Sequence, residues 1–354
     1  MGKLLAMMGP NKKGGIASRK RRDAGGILVS LLFLSLFTIR CDDGGEGPVH
    51  ITVIRPAWSP SNNYIAVFKY EFRSRDPETG CNSSQVTDEP AIPVFAVTLA
   101  DTAGSFLADL GTAMYPGEVR WSPNGQSVAF TQLVRTNAAG LTIAAIGGGS
   151  IPVPALIEAV DVAWSPLGNR IVAAGKMIGD SLNHLYAVNA DGTNLRELNP
   201  AITGDVSSVR WSTQDRIAII YHQDYRGYLG LINGDGSNFM VVDSIGLVFG
   251  LIDWSADGSK LIHTAAAAPY KLFSVDPVTF QRTELAEGEF FTFISFAPTG
   301  GLVGFTNASG FYVVDSSGTN QRFIGPNISS PSWSPDGTEV VYASGEKLAF
   351  QQIR

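Results

Sequence analysis

All six tryptophans of this 354-residue chain stand in one local phrase. The copies are Trp58-Ser59-Pro60, Trp121-Ser122-Pro123, Trp164-Ser165-Pro166, Trp211-Ser212-Thr213, Trp254-Ser255-Ala256 and Trp333-Ser334-Pro335. A seventh, Phe296-Ala297-Pro298, carries Phe in place of Trp. Successive copies are 63, 43, 47, 43, 42 and 37 residues apart. A recurring period near 40–45 residues is the length of one four-stranded propeller blade. It excludes helical bundles and a doubly wound α/β fold, neither of which produces such a register.

The text between the tryptophans supports that reading. Most copies run into a turn, as at Asn124-Gly125, Leu167-Gly168, Asp257-Gly258, Thr299-Gly300 and Asp336-Gly337, where glycine supplies the positive φ of a tight hairpin. An apolar strand follows each, for example Val128-Ala129-Phe130 or Ile171-Val172-Ala173. A second hairpin comes later in most units, as in Leu185–Val188, the turn Asn189–Asn194 and Leu195–Leu198. Two hairpins per unit make one antiparallel blade. The Trp closing the first strand is expected to fill the wedge between neighbouring blades, and the Pro to fix the turn.

These residues resemble the TolB-like, WD40-like propeller repeat of periplasmic and exported bacterial proteins, over roughly residues 51–354. The resemblance implies an all-β, seven-bladed β-propeller of four-stranded antiparallel blades. The unit at Thr213-Gln214-Asp215 departs from the pattern by a turn one residue shorter, and the unit at Phe296 by its aromatic residue. Two arrangements are open for the last blade: it is incomplete, or the N-terminal strand His50–Ile54 closes it.

Residues 1–40 read as an address, a signal peptide or N-terminal anchor. Lys12, Lys13, Arg19, Lys20, Arg21 and Arg22 precede an apolar run, Ile27 to Ile39, of signal-peptide length and short of a membrane span. Cys41 ends the run, and residues 41–49 begin a Gly- and Asp-rich tether to a propeller at 50–354. The arrangement resembles a bacterial lipoprotein signal, which implies lipidation of Cys41. Thr38, Ile39 and Arg40 depart from the aliphatic and small residues of that pattern, and the alternative is an uncleaved anchor. Either way the chain is expected to be exported, to the periplasm or cell surface, and held at the membrane. With Cys41 acylated, Cys81 stands alone; otherwise a bridge between them is open.

Residues 1–40 hold 8 Lys/Arg and one acid, which leaves 18 Lys/Arg against 31 Asp/Glu in residues 41–354. So acidic a body argues against a nucleic-acid partner, which needs clustered positive charge. Strand alternation turns the residues one and three before each Trp away from blade packing. Those positions hold Arg55, Glu118, Arg120, Asp161, Arg210 and Asp253, with Ser208, Ser295, Ser330 and Ser332. They are expected to line a central channel, either as a ring of ion pairs or as the site for a polar ligand or peptide end. Loops carry function more often than strands. The longest, Glu71 to Pro93, contains Cys81. The stretch His222-Gln223-Asp224-Tyr225-Arg226-Gly227-Tyr228 reads as a second, whose His222, Asp224, Tyr225 and Arg226 suit protein or glycan contact.

Catalytic signatures are weak. Gly179-Asp180-Ser181-Leu182 spells the motif of a GDSL-type esterase, but it sits in a mid-chain loop without the late Asp-x-x-His of that family. No nucleophile elbow, phosphate-binding loop or metal-ligand spacing occurs, so no catalytic residue, metal or cofactor is expected. The expected role is therefore a non-enzymatic, membrane-tethered scaffold binding an envelope protein, peptide or glycan. The alternative is a propeller lyase or hydrolase with its site at the channel mouth.

Overall fold

The computed structural model describes residues 49–73, 94–133, 139–246, 250–265 and 269–353. All of them fall within one compact unit, which spans Gly44–Gly80 and Ile92–Arg354. The described chain is all β and forms a seven-bladed propeller.

Blade 1 comprises β1 (Val49–Trp58), β2 (Ile65–Arg73), β3 (Val94–Ala100) and β4 (Phe106–Met114). Blade 2 comprises β5 (Pro116–Trp121), β6 (Ser127–Gln132), β7 (Leu141–Ala145) and β8 (Ser150–Pro152). Blade 3 has β9 (Leu156–Trp164), β10 (Arg170–Met177), β11 (His184–Asn189) and β12 (Arg196–Glu197). Blade 4 has β13 (Asp205–Trp211), β14 (Arg216–Gln223), β15 (Arg226–Asn233) and β16 (Met240–Gly246). Blade 5 has β17 (Ile252–Trp254), β18 (Leu261–Ala265), β19 (Tyr270–Val275) and β20 (Arg282–Gly288). Blade 6 has β21 (Phe291–Phe296), β22 (Leu302–Asn307), β23 (Gly310–Asp315) and β24 (Arg322–Gly325). Blade 7 has β25 (Ser332–Trp333), β26 (Glu339–Ser344) and β27 (Lys347–Gln352). Within each blade the strands pair antiparallel in chain order, and the first strands contact their neighbours around the axis.

Of the two arrangements open for the last blade, the incomplete one is found. His50–Ile54 belongs to β1, the first strand of blade 1, where it pairs with β2; it adds no strand to blade 7, although His50 Nδ1 lies 3.2 Å from Glu346 of that blade. Among the described residues blade 7 therefore has three strands.

The apolar core is divided into seven clusters, one for each blade interface. Val206, Val209, Ile217, Ile219 and Tyr221 of blade 4 pack on Ala163, Val172 and Leu185 of blade 3, and the other six interfaces are built likewise. Second strands are sandwiched on both faces, so their sequences are continuous apolar runs such as Ile217-Ala218-Ile219-Ile220-Tyr221, all buried. The ring closes through Trp58, Ile65 and Ala100 of blade 1 against Val341 of blade 7, with Phe350 edge-on to Trp58 at 5.7 Å.

The repeated serine, which neither packs nor makes the bend, locks the turn. Its buried hydroxyl accepts the backbone N–H five residues on, as in Ser127 to Ser122 at 3.0 Å and Arg170 to Ser165 at 3.0 Å. In the shortened unit the bond falls one residue earlier, from Arg216 N–H to Ser212 at 3.1 Å. The fourth residue after each Trp or Phe has positive φ in all seven units: five glycines, Asn62 (59°) and Asp215 (58°).

That position also decides where the indole proton goes. With glycine there, Trp121 donates across the interface to Ala57 O (2.8 Å), Trp164 to Arg120 O (3.0 Å) and Trp254 to Arg210 O (3.2 Å). With a side chain there, Trp58 donates to Asn62 Oδ1 and Trp211 to Asp215 Oδ1, each at 2.9 Å. Trp333, which follows the Phe296 blade, finds no partner for its buried Nε1.

Two substitutions separate these roles. Trp164→Ala is expected to cost ~3–5 kcal/mol, and Trp164→Phe about 1 kcal/mol more than Trp333→Phe, where no hydrogen bond is lost. Urea unfolding of the three variants checks this, and equal effects of the two Phe substitutions would refute it.

Candidate functional site

The inner strands bring five of the predicted channel residues into one ladder of alternating charge. Arg55 pairs with Glu118, Arg120 Nη2 lies 2.9 Å from Glu118 Oε2, and Arg210 Nη1 lies 2.6 Å from Asp161 Oδ2. Arg120 also stands 3.9 Å from Asp161, which links the two halves. The order Arg55, Glu118, Arg120, Asp161, Arg210 follows blades 1 to 4. Asp253 of blade 5 joins through its field on Arg210 and not through a direct bond.

The local electrostatics follow from this arrangement. Burial works to raise the Glu118 pKa, but Arg120, Arg55 and Arg210 outweigh it and hold the carboxyl below its ordinary 4.5. Burial works to lower the Arg210 pKa, and Asp161, Glu118 and Asp253 together push it up instead.

Two of the carboxylates have a second task. A first strand has no neighbour on its axial side, so its N–H groups there need partners. Asp161 Oδ2 accepts Val209 N–H and Ser208 Oγ–H of the next blade, each at 2.9 Å. Asp253 Oδ2 does the same for Phe296 N–H and Ser295 Oγ–H, again at 2.9 Å. Ser332 Oγ accepts Trp58 N–H at 2.9 Å across the closing interface. These side chains fasten three of the inner strands to the next, those of blades 3, 5 and 7. Asp161 is only 4% exposed, whereas the side chains of Arg55 and Arg120 are 45% and 34% exposed. Arg55 and Arg120 are therefore the groups of the ladder most open to an incoming ligand, ahead of Glu118 at 24% and Arg210 at 21%.

The second predicted group is placed differently. His222–Tyr228 is not a loop: β14 and β15 continue to Gln223 and Arg226, joined by a two-residue turn at Asp224-Tyr225. Both turn residues have positive φ, 50° and 61°, which is the geometry a tight hairpin imposes. Tyr225 stands 91% exposed at the tip, while His222 lies on the strand with Nε2 3.1 Å from Ser207 Oγ. Burial pushes the His222 imidazole below its ordinary 6.5, against the pull of Asp205. This hairpin lies at the opposite end of its blade from the Trp211 turn. Cys41, Cys81 and residues 74–93 of the long predicted loop lie outside the described residues.

The esterase-like tetrapeptide forms no catalytic set. Asp180 accepts the Tyr186 hydroxyl at 2.5 Å and Met177 N–H at 2.7 Å, and His184 faces Glu197 at 3.1 Å. Ser181 is exposed. One buried group has a partner that sequence reasoning missed, although its strand pattern reads as that of a core histidine. His263 of β18, a lone strand histidine by sequence, is fully buried with Nε2 3.5 Å from Asp243 of the preceding blade. Arg282 holds the same carboxylate at 3.0 Å and lies over the Phe273 ring. No local pattern links these residues, because the contact crosses blades. Among the described residues no three His, Cys, Asp or Glu side chains are placed to hold a metal.

No family model matches the sequence, and no curated protein matches it significantly. Solved structures do match in fold. An oligogalacturonate lyase in complex with manganese is 13% identical, with 86% of this chain and 91% of that chain covered and a TM-score of 0.62. Kuenenia stuttgartiensis hydrazine synthase is 11% identical, with 91% and 99% covered and a TM-score of 0.64. A nidogen/laminin complex is 12% identical, with 78% and 92% covered and a TM-score of 0.52. At these identities the likeness establishes the propeller fold and leaves function to the site.

Two measurements test the electrostatics. Asp161→Ala strands Arg210, Val209 N–H and Ser208 at once, so it is expected to lower unfolding stability by ~3–5 kcal/mol; a midpoint near that of the unaltered chain would refute this. Burial, only partly offset by Asp243, lowers the His263 pKa to about 4 from its ordinary 6.5. The unfolded chain then takes up a proton that the folded one refuses. Stability is complete above pH 6.5 and falls about 1.4 kcal/mol per pH unit on descending towards 4. In His263→Gln this slope is expected to fall sharply, leaving only the smaller part that His222 contributes with the same sign, as followed by urea unfolding across that range. The Glu118 contribution is present above pH 4.5 and is lost below it, outside most of that window.

Proposed function

We propose that the chain is an exported, membrane-tethered propeller scaffold that binds an envelope protein, peptide or glycan and does not transform a small molecule. The observation that carries this reading is the use made of the channel charges. Asp161 and Asp253 are occupied with backbone amides and Glu118 with two guanidiniums, which leaves the open faces of Arg55 and Arg120 for recognition. Exposed guanidinium groups suit a carboxylate, such as a peptide C-terminus or an acidic sugar. The TolB-like repeat and the basic, apolar, cysteine-terminated N-terminus support an envelope setting with Cys41 lipidated.

The test pairs two measurements on protein purified from membranes. Mass spectrometry is expected to find a chain beginning at a lipidated Cys41; an unmodified Cys41 on a full-length chain would overturn the anchor. Cross-linked partners are expected to be lost from the Arg55→Ala, Arg120→Ala double variant, and an unchanged partner set would overturn the channel as the binding site.

A second reading is a propeller enzyme at the channel mouth, favoured by the fold shared with an oligogalacturonate lyase. It requires an acid–base pair beside the exposed arginines, and the ladder's carboxylates are already engaged there. Incubation with oligogalacturonate, with and without manganese, is expected to give no ultraviolet-absorbing unsaturated product; turnover above a heat-denatured control would establish the lyase reading instead.

A further inference from the structure

We propose that blade 7 is completed in trans, by an extended strand of a partner polypeptide that pairs with the outer edge of β27. The proposal deepens the scaffold reading by naming a binding mode. It rests on the blade edge and not on the channel.

Six blades have a fourth strand and blade 7, among the described residues, has none. The consequence is visible in burial. Every other third strand, β3, β7, β11, β15, β19 and β23, contains at least three buried residues. In β27, Lys-Leu-Ala-Phe-Gln-Gln, no residue is buried, although Leu348, Ala349 and Phe350 are apolar. Leu348 and Phe350 share one face with Phe106 of blade 1, at the closing cluster, which has the fewest buried residues of the seven.

The free edge carries hydrogen-bonding capacity as well as apolar surface. Ser344 and Lys347 flank a two-residue turn and pair across it, and Ile353 N–H reaches Thr338 O within the blade. Lys347, Gln351 and Ala349 therefore face β26, and the amides of Leu348, Phe350 and Gln352 point outward. A row of outward amides beside apolar side chains is a template for strand addition.

The chain's own N-terminal side is poorly placed to fill the gap. In blades 1, 4, 5 and 6 the residue nine before the next blade's Trp or Phe (Thr112, Ile245, Glu287 and Ile324) lies in a fourth strand. The residue nine before Trp58 is Val49, and it pairs with Arg73 of β2, as His50 pairs with Phe72. β1 has thus taken the residues that a closing strand would use. Those before it, Asp43-Gly44-Gly45-Glu46-Gly47-Pro48, are among the weakest strand formers. The occupant that fits is a separate extended segment with apolar side chains at alternate positions, turned towards Phe106, Leu348 and Phe350.

Hydrogen–deuterium exchange on the detergent-solubilised full chain tests this. The amides of Leu348, Phe350 and Gln352 are expected to exchange about 100-fold faster than those of β26. Two probes are synthetic peptides with the sequences of Phe106–Met114 and Met240–Gly246, fourth strands of blades 1 and 4. Either is expected to protect the three amides and raise the Tm. A variant with the Met240–Gly246 sequence appended after Arg354 through an Asn-Gly turn is expected to be protected without peptide, and to bind the probes at least ~10-fold more weakly. Slow exchange in the free chain overturns the proposal; its loss on deleting residues 44–48 would mean closure in cis, and its loss on dilution a second copy. Failure of both peptides to protect β27 overturns it too. The Arg55→Ala, Arg120→Ala variant is expected to behave here like the unaltered chain, so failure of the channel reading leaves this one standing.

Discussion

No blade of this protein can cover its own faces, and the rest of the structure follows from that. A second strand such as Ile217–Tyr221 is buried along its length because blade 3 lies on one side of its sheet and blade 5 on the other. Each blade is therefore stable only as part of a closed series, as in other repeat architectures. The Trp at the end of each first strand makes the contact specific. Its ring fills the wedge, and in three units its N–H reaches a carbonyl of the preceding blade. Where Asn62 or Asp215 replaces glycine, the same proton is satisfied within the unit, so the packing role persists while the cross-link is given up.

Burial between blades leaves the edges of each sheet to be dealt with separately. On the axial side, Asp161, Asp253 and Ser332 accept amides of the following blade's first strand. A charge at the channel is thus a structural partner before it is a recognition group. Pairing Asp161 with Arg210 then compensates the carboxylate this device brings in there. The Asp161–Arg210 part of the ladder thus has a local structural cause.

Much of this was legible in the sequence because the repeat is written in local terms. A Trp, a Ser and a residue of positive φ lie within five positions of one another, and the strands that follow are contiguous. Period and grammar together were enough for the blade count. What escaped were contacts between blades. Nothing near Asp161 points to Val209, 48 residues on, and nothing near His263 points to Asp243 across the interface. The stretch His222–Tyr228 was misread as a loop for a related reason. Asp224-Tyr225 lacks the glycine that usually marks a two-residue hairpin, yet pairing of the flanking strands holds both residues at positive φ. The place of the N-terminal strand could not be read either, since the apolar text of β1 suits a first or a fourth strand equally.

Three features set the junction of blades 7 and 1 apart from the rest of the ring. Among the described residues blade 7 has no fourth strand beside β27, and the interface it forms with blade 1 has the smallest buried cluster. Arg55, the most open cation of the ladder, belongs to blade 1 as well. Trp333 of blade 7 has an indole N–H without a hydrogen bond, as Arg120, Asn183 and His263 each have a buried atom without one in other blades. A closed propeller of self-sufficient units offers a partner little beyond its loops. The junction of blades 7 and 1 offers outward amides, apolar side chains and a guanidinium in adjacent blades. Recognition at that seam would add stability to the interface that the chain itself closes least completely, which couples binding to the integrity of the ring.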